Sequence, residues 1–214
     1  MGATLFKLRA VALDYLFDLK YRVETCSWSE LQSLTVESDN KGHGYAYQPT
    51  RVLPLRLLFK SIQPLLAPDS VLLDIGSGKG RVLLVASEFG FRAVRGVEFA
   101  RELCQIAKKN LVHFKSKTGR PTEFEIIETD AAEYHIREDE NVFILYNPFD
   151  DVILGRVLDN ISASVRKQPR KVLIVYYNPK WKHVIENRRD YRSVREFNFW
   201  SFKFTLYSNT EIII

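Results

Sequence analysis

Val71-Leu72-Leu73-Asp74-Ile75-Gly76-Ser77-Gly78-Lys79-Gly80 decides the fold of this chain. The apolar run with its acid reads as a strand, and glycines at 76, 78 and 80 make the turn that follows. Arg81 to Phe89 continues with helical apolar spacing. At the mouth of a parallel sheet, such a turn lets backbone N–H groups approach a ligand in front of a helix N-terminus. A nucleotide-like cofactor is the expected occupant, and the spacing narrows its type. The dinucleotide fingerprint requires glycine at 81, where the chain has Arg81. A Walker loop requires Ser or Thr after Gly78-Lys79 and a glycine at 73, where the chain has Gly80 and Leu73.

The remaining pattern, Asp-x-Gly-x-Gly-x-Gly after a strand, resembles the first motif of class I S-adenosylmethionine-dependent methyltransferases. The resemblance implies a Rossmann-like α/β fold, with a seven-stranded sheet and helices on both faces. It also implies S-adenosylmethionine as cofactor, bound by Asp74 and the turn Gly76, Ser77, Gly78 and Gly80. An acid at the strand tip suits the ammonium of the cofactor's methionine end. Ala93 to Glu98 is a second apolar strand ending in a carboxylate, about 20 residues beyond the turn, where such sheets place the ribose acceptor. Glu98 takes that role here, with Phe99 against the adenine. A third strand, Phe124 to Glu128, leads to Asp130 and Ala131. The resemblance assigns these to the adenine amino group and ring nitrogen, and Asp130 is equally suited to cap the chain that follows.

The fourth strand, Asn141 to Tyr146, runs into Asn147-Pro148-Phe149-Asp150. This resembles the Asn/Asp-Pro-Pro-Tyr/Phe motif of amino-group methyltransferases, with one proline missing. By that resemblance Asn147, Pro148 and Phe149 are the catalytic segment. The first side chain and a backbone carbonyl would orient a target nitrogen while the aromatic packs on the substrate. A plain β-turn is the alternative. A helix from Asp151 to Val165, a strand from Val172 to Tyr177 and two antiparallel strands, Arg192 to Trp200 and Phe202 to Ser208, complete the core. Arg101 to Lys115 is helical between the second and third strands.

The domain division expected is 1–65 as a helical extension with a cofactor-covering loop and 66–214 as the methyltransferase core. Leu5, Leu8, Ala12, Tyr15 and Leu16 follow helical spacing and predict an inward face. The loop 38–50 precedes a helix from about Arg51 to Ile62. Tyr45 or Tyr47 of that loop either shields the cofactor or packs as an ordinary core aromatic. Together with Phe17 to Thr25, residues 76–81 and 146–149, this loop is similar to a group of small, mostly uncharacterised bacterial methyltransferases.

Composition agrees with one well-buried domain: 214 residues, 46% hydrophobic. Two cysteines without metal or redox spacing and no signal-peptide pattern predict a cytoplasmic protein, and four scattered histidines predict no metal site. The start of the chain is too charged for a transmembrane segment. The net charge of +5 includes clusters at 108–120, 166–171 and 188–195. These make nucleic acid a possible partner but not the favoured one. The expected activity is methyl transfer to an unidentified small-molecule or protein acceptor, nitrogen being preferred. Protein-lysine or RNA methylation, or cofactor binding without turnover as a partner subunit, are the alternatives. The sequence does not fix the oligomeric state.

Overall fold

The computed structural model describes residues 2–199 and 201–212, apart from the side chains of residues 2–5 and 7. Strand β1 (Val71–Ile75) is buried along its whole length. Apart from Asp74, its residues are apolar without alternation, as in a strand covered on both faces. It pairs in parallel with β2 (Ala93–Glu98) on one side and β4 (Glu140–Leu145) on the other. With β3 (Glu123–Glu128), β5 (Leu173–Tyr177), β6 (Arg192–Phe199) and β7 (Phe202–Ser208), these form a seven-stranded sheet of order β3-β2-β1-β4-β5-β7-β6. β1 to β5 run parallel, and β7 is antiparallel to both β5 and β6. The strand order reverses between β1 and β4, and a cleft opens beyond the carboxyl ends of these strands, where open α/β sheets bind ligands.

Helices α2 (Val52–Ile62), α3 (Arg81–Ala86) and α4 (Arg101–Thr118) join one apolar cluster with Leu72, Val94 and Ile144. Helix α5 (Asp151–Lys167) joins a second with Leu73, Phe143 and Ile174, so alternate strand residues feed opposite faces. Capping sets the helix ends. The Asp150 carboxylate accepts from Val152 N and Ile153 N at the start of α5, and Gly119 in the left-handed region stops α4. A short helix α6 (Lys182–Glu186) follows β5. Trp200, expected in the sixth strand, lies outside the described residues.

Helix α1 (Gly2–Tyr21) forms as predicted but buries the opposite face. Leu8, Tyr15 and Leu16 are 64%, 62% and 58% exposed, and Ala12 is exposed as well. The Leu5 side chain lies outside the described residues. The buried residues are Phe6, Ala10, Asp14, Phe17 and Tyr21, the last two packing their rings on Phe114 of α4. The helix is apolar on two sides, so period alone does not select the inner one. Asp14 decides it: it needs Arg51, the Val52 N–H and Arg81 as partners, and all three lie on the core side.

The cationic clusters are partly structural. Arg170 donates to the carbonyls of Arg137, Glu140, Ser164 and Gln168. Lys171 reaches Leu65 O, and Arg188 reaches Asp159 and Gly155 O. No helix of the described residues is long and apolar enough to cross a membrane. Both cysteines are unpaired, and no described cluster of His, Cys, Asp or Glu could hold a metal ion.

Candidate functional site

One cleft at the carboxyl edge of the sheet brings together eleven of the residues singled out in the sequence. Tyr47, Asp74, Gly76, Ser77, Glu98 and Phe99 line it, as do Asp130, Ala131, Asn147, Pro148 and Phe149. Gly78 and Gly80 do not. Gly78 lies under the Tyr47 ring, which occupies the space a Cβ there would need. Gly80 packs toward Ala107 and opens α3. Gly76 and Gly78 both have positive φ, +76° and +53°, and a Cβ on Gly76 would meet Pro148. Glycine is needed at both for the turn and for what packs on it.

Four of the turn's N–H groups, those of Gly76, Ser77, Gly78 and Gly80, are not offered to a ligand, contrary to the expectation from its glycines. Gly76 N and Ser77 N donate to Val97 O at 2.9 and 3.0 Å, and Gly80 N donates to Ser77 O at 2.9 Å. Gly78 N donates to Glu98 Oε2 at 2.9 Å. With these amides turned inward, the loop is not an anion cradle.

The cleft is lined instead by acids. Asp74 is 4% exposed, and no described residue gives its carboxylate a hydrogen bond or ion pair. Burial, followed by the charge of Glu98, pushes its pKa well above the usual carboxylate range. Glu98 is also raised by burial, against the opposing pull of the Ala100 and Gly78 amides. Ser77 Oγ is buried with no partner. The Ser77 side chain packs over Gly96 of β2; the two desolvated acids are suited to a cationic, hydroxyl-bearing ligand.

At the third strand, the Asp130 carboxylate is already engaged by its own chain. Oδ1 accepts from Ala132 N at 2.7 Å, a turn cap, while Oδ2 accepts from Ser38 Oγ and, at 2.8 Å, from Asn40 Nδ2. Ser38 and Asn40 belong to the loop 38–50, which lines the cleft through Asn40 and residues 44–48. Tyr45 N donates to Pro148 O, and Asp150 N donates to His43 O. His43 Nδ1 also lies 2.6 Å from Asp150 Oδ2. The loop is thereby stitched to the segment after β4.

The cations of the turn face away from the cleft's acids, toward the N-terminal segment. Lys79, 2% exposed, donates to Glu24 Oε1 at 2.7 Å and to Ser27 Oγ. Arg81, equally buried, donates to Thr25 Oγ1, Thr50 O and Cys26 Sγ and lies 3.4 and 3.7 Å from Asp14 and Asp18. Burial pushes the Cys26 thiol up to about 11, which keeps it protonated. The four stretches that carry the bacterial resemblance thus form one contact network.

The segment after β4 departs furthest from the motif it resembles. Asn147, at φ +42°, donates from Nδ2 to Asn178 O at 2.8 Å. Its Oδ1 accepts from Tyr176 Oη at 2.8 Å and Lys180 N at 3.3 Å. An N–H donor on one side and a carbonyl on the other fix the amide orientation. Both atoms that the motif would turn to an amine, Asn147 Oδ1 and Pro148 O, are therefore held internally. Phe149 is 7% exposed and packs mainly in the α5-side core, so it is not a free wall for a planar substrate. Asn178 repeats the arrangement at the end of β5, with φ +48°. Tyr146 and Tyr177, preceding the two asparagines, stack at 4.2 Å. The sequence carried this signal as a doubled Tyr-Asn-Pro at 146–148 and 177–179. Gln48, Asn40, Asn178 and Lys180 also line the cleft.

The family described as histone methylation protein DOT1 matches residues 52–131. No curated protein is similar at a significant level. Among solved structures, the chain is similar to an RNA methyltransferase from Salinibacter ruber in complex with S-adenosyl-L-homocysteine, at 20% identity and TM-score 0.53 over 78% of this chain and 97% of that one. A putative methyltransferase, yhhF, from Escherichia coli matches at 19% identity and TM-score 0.55, over 82% and 90% of the two chains. Magnesium protoporphyrin IX methyltransferase from Synechocystis, with bound S-adenosylmethionine, matches at 10% and 0.54, over 74% and 78%. The chain therefore has the fold of the class I S-adenosylmethionine-dependent methyltransferases, with small putative bacterial methylases among the structures similar to it.

Proposed function

We propose that the protein transfers a methyl group from S-adenosylmethionine to an acceptor that enters between Tyr45, Gln48, Tyr146 and Lys180. The observation that carries this reading is Asp74, a buried carboxylate without a partner beside a turn whose glycine amides are used internally. A phosphate-bearing cofactor would find no donors there, whereas an ammonium would relieve the desolvated acid. When bound, the cofactor supplies a sulfonium-activated methyl group. Asp74 would hold its ammonium and Glu98 its ribose hydroxyls. Asp130 and Ala131 would take the adenine edge, with Ser38 and Asn40 steadying the Asp130 carboxylate. Tyr47 and Phe99 would exclude water, so that the chain acts by binding and alignment.

Residues 1–65 serve on this reading as a covering extension of a core spanning 66–214, and the unpaired cysteines support a reducing, cytoplasmic setting. The case for a nitrogen acceptor rested on Asn147-Pro148-Phe149, whose accepting atoms are engaged; labelled transfer into fractionated extract identifies the acceptor directly. Thermal shift tests the cofactor. S-adenosylmethionine or its demethylated product at a hundredfold excess over its dissociation constant should stabilise the fold by about 2.7 kcal/mol, whereas NAD and ATP should not. A shift with NAD or ATP and none with the other two would overturn the reading.

A further inference from the structure

Charge is divided along the cleft. Its lining acids, Asp74, Glu98 and Asp130, belong to β1, β2 and the end of β3, and its two lining cations are Arg81 and Lys180. Arg81 is committed to the N-terminal segment. Lys180 is not: among the described residues no carboxylate lies within ion-pair distance of it. Its Nζ is 3.2 Å from Tyr45 Oη and sits over the Tyr45 and Trp181 rings at 4.8 and 4.7 Å. Its backbone N–H is fixed by Asn147 Oδ1, so the segment after β4 holds the base of this side chain at the mouth. Tyr45 is 39% exposed, so the ammonium and its aromatic neighbour face incoming molecules.

We infer that Lys180 is a specificity-determining residue that receives an anionic oxygen group, a carboxylate or phosphate, on the methyl acceptor. The inference rests on the methyl-transfer reading above and deepens it. An ammonium without a carboxylate partner, backed by aromatic rings, binds an anionic oxygen group by charge-assisted hydrogen bonds, and a like-charged acceptor such as a lysine side chain is repelled. Asn147 then acts as a positioning residue, through the Lys180 main chain, and not as the group that contacts the acceptor.

The test uses the full chain saturated with S-adenosylhomocysteine and four small aromatic probes: benzoate, phenylphosphate, neutral benzamide and cationic benzylamine. Ligand-observed NMR titration should give benzoate or phenylphosphate at least tenfold tighter binding than benzamide or benzylamine. Preference for one of the two anions identifies the group. K180Q, which keeps a donor to Tyr45 but removes the charge, should abolish that preference, and K180R should retain it. S-adenosylhomocysteine affinity should be unchanged in both. Equal or tighter binding of benzylamine, absence of anion binding at millimolar concentration, or a preference that survives in K180Q would overturn the assignment. Failure of the wild-type chain to bind S-adenosylhomocysteine would instead remove the methyl-transfer reading. With labelled cofactor and fractionated extract, K180Q should lower labelling through a raised KM, and labelling at the wild-type rate would also count against Lys180.

Discussion

The two ends of the cleft are built on opposite plans. At the cofactor end, the turn's glycine amides are used within the chain and Glu98 and Asp130 accept from neighbouring donors, while Asp74 at the tip of β1 has no partner among the described residues. At the acceptor end, the motif's own atoms are satisfied, because Asn147 and Pro148 are bound by Tyr176, Asn178, Lys180 and Tyr45. An unsatisfied buried group costs stability and awaits a ligand, whereas a satisfied one holds the scaffold. Partner counting therefore separates Asp74 from Asn147, although each stands in a motif of the same resemblance.

The most severe way to break the cofactor end is Gly78→Val. A branched side chain at φ +53° is strained by about 1–3 kcal/mol, and its Cβ would displace the Tyr47 ring. S-adenosylhomocysteine binding, read by calorimetry, should be lost, and the melting temperature should fall. Binding at wild-type affinity would show that the cover is free to move away.

Asp74→Asn sharpens the contrast. Removing the charge-assisted bond should weaken S-adenosylhomocysteine by about 1.5–3 kcal/mol. The same change should stabilise the ligand-free protein near neutral pH. Asp74 and Glu98 both have folded-state pKa values raised above their unfolded values. Their contribution is therefore most favourable below pH about 4, where the unfolded carboxylates still carry protons, and declines as pH rises through the folded pKa values. Denaturant unfolding across pH 4–8 should show this decline in the wild type and a shallower one in Asp74→Asn. Identical profiles would place Asp74 in contact with a cation unseen here.

At the acceptor end the expected pattern reverses. Asn147→Ala should leave S-adenosylhomocysteine affinity intact but cost about 1–3 kcal/mol of stability, because the hydroxyl of buried Tyr176 loses its acceptor. Asn147→Gly, which tolerates φ +42°, separates the lost amide from backbone strain. Unaltered denaturant stability in both would return Asn147 to the role of a free acceptor-binding group. The smallest effect is expected from Tyr45→Phe, which removes only the hydroxyl facing Lys180 Nζ. About 1 kcal/mol or less is at stake, and a large loss of cofactor affinity would show that this contact governs closure of the cover.

The fold was legible because its signals are local. The run 71–80, the carboxylate ending Ala93 to Glu98 and the apolar strands at 141–146 and 172–177 each declare themselves within a few residues, and the resemblance these motifs carry implies the seven-stranded sheet that forms. What was not legible depends on distant partners. Helix α1 is apolar on two sides, and its inner face is set by Asp14 meeting Arg51 and Arg81. Lys79 and Arg81 lie in a cofactor motif yet serve Glu24 and Thr25. Asn147 matches a motif locally, but its engagement is decided by Tyr176 and Lys180 some thirty positions later. The doubled Tyr-Asn-Pro was the one sequence sign that the two turns are a pair.

The Glu24 contacts carry a consequence for how the protein opens. Glu24 N donates to Asn110 Oδ1 at 2.8 Å, and Asn110 Nδ2 donates to Glu24 O and Lys79 O at 2.9 and 3.0 Å. One side chain of α4 thus clamps the segment after α1 to the turn after β1. That segment cannot peel away without leaving the buried Asn110 amide unpaired, so the Glu24 amide should exchange its hydrogen with solvent only as slowly as the turn itself opens.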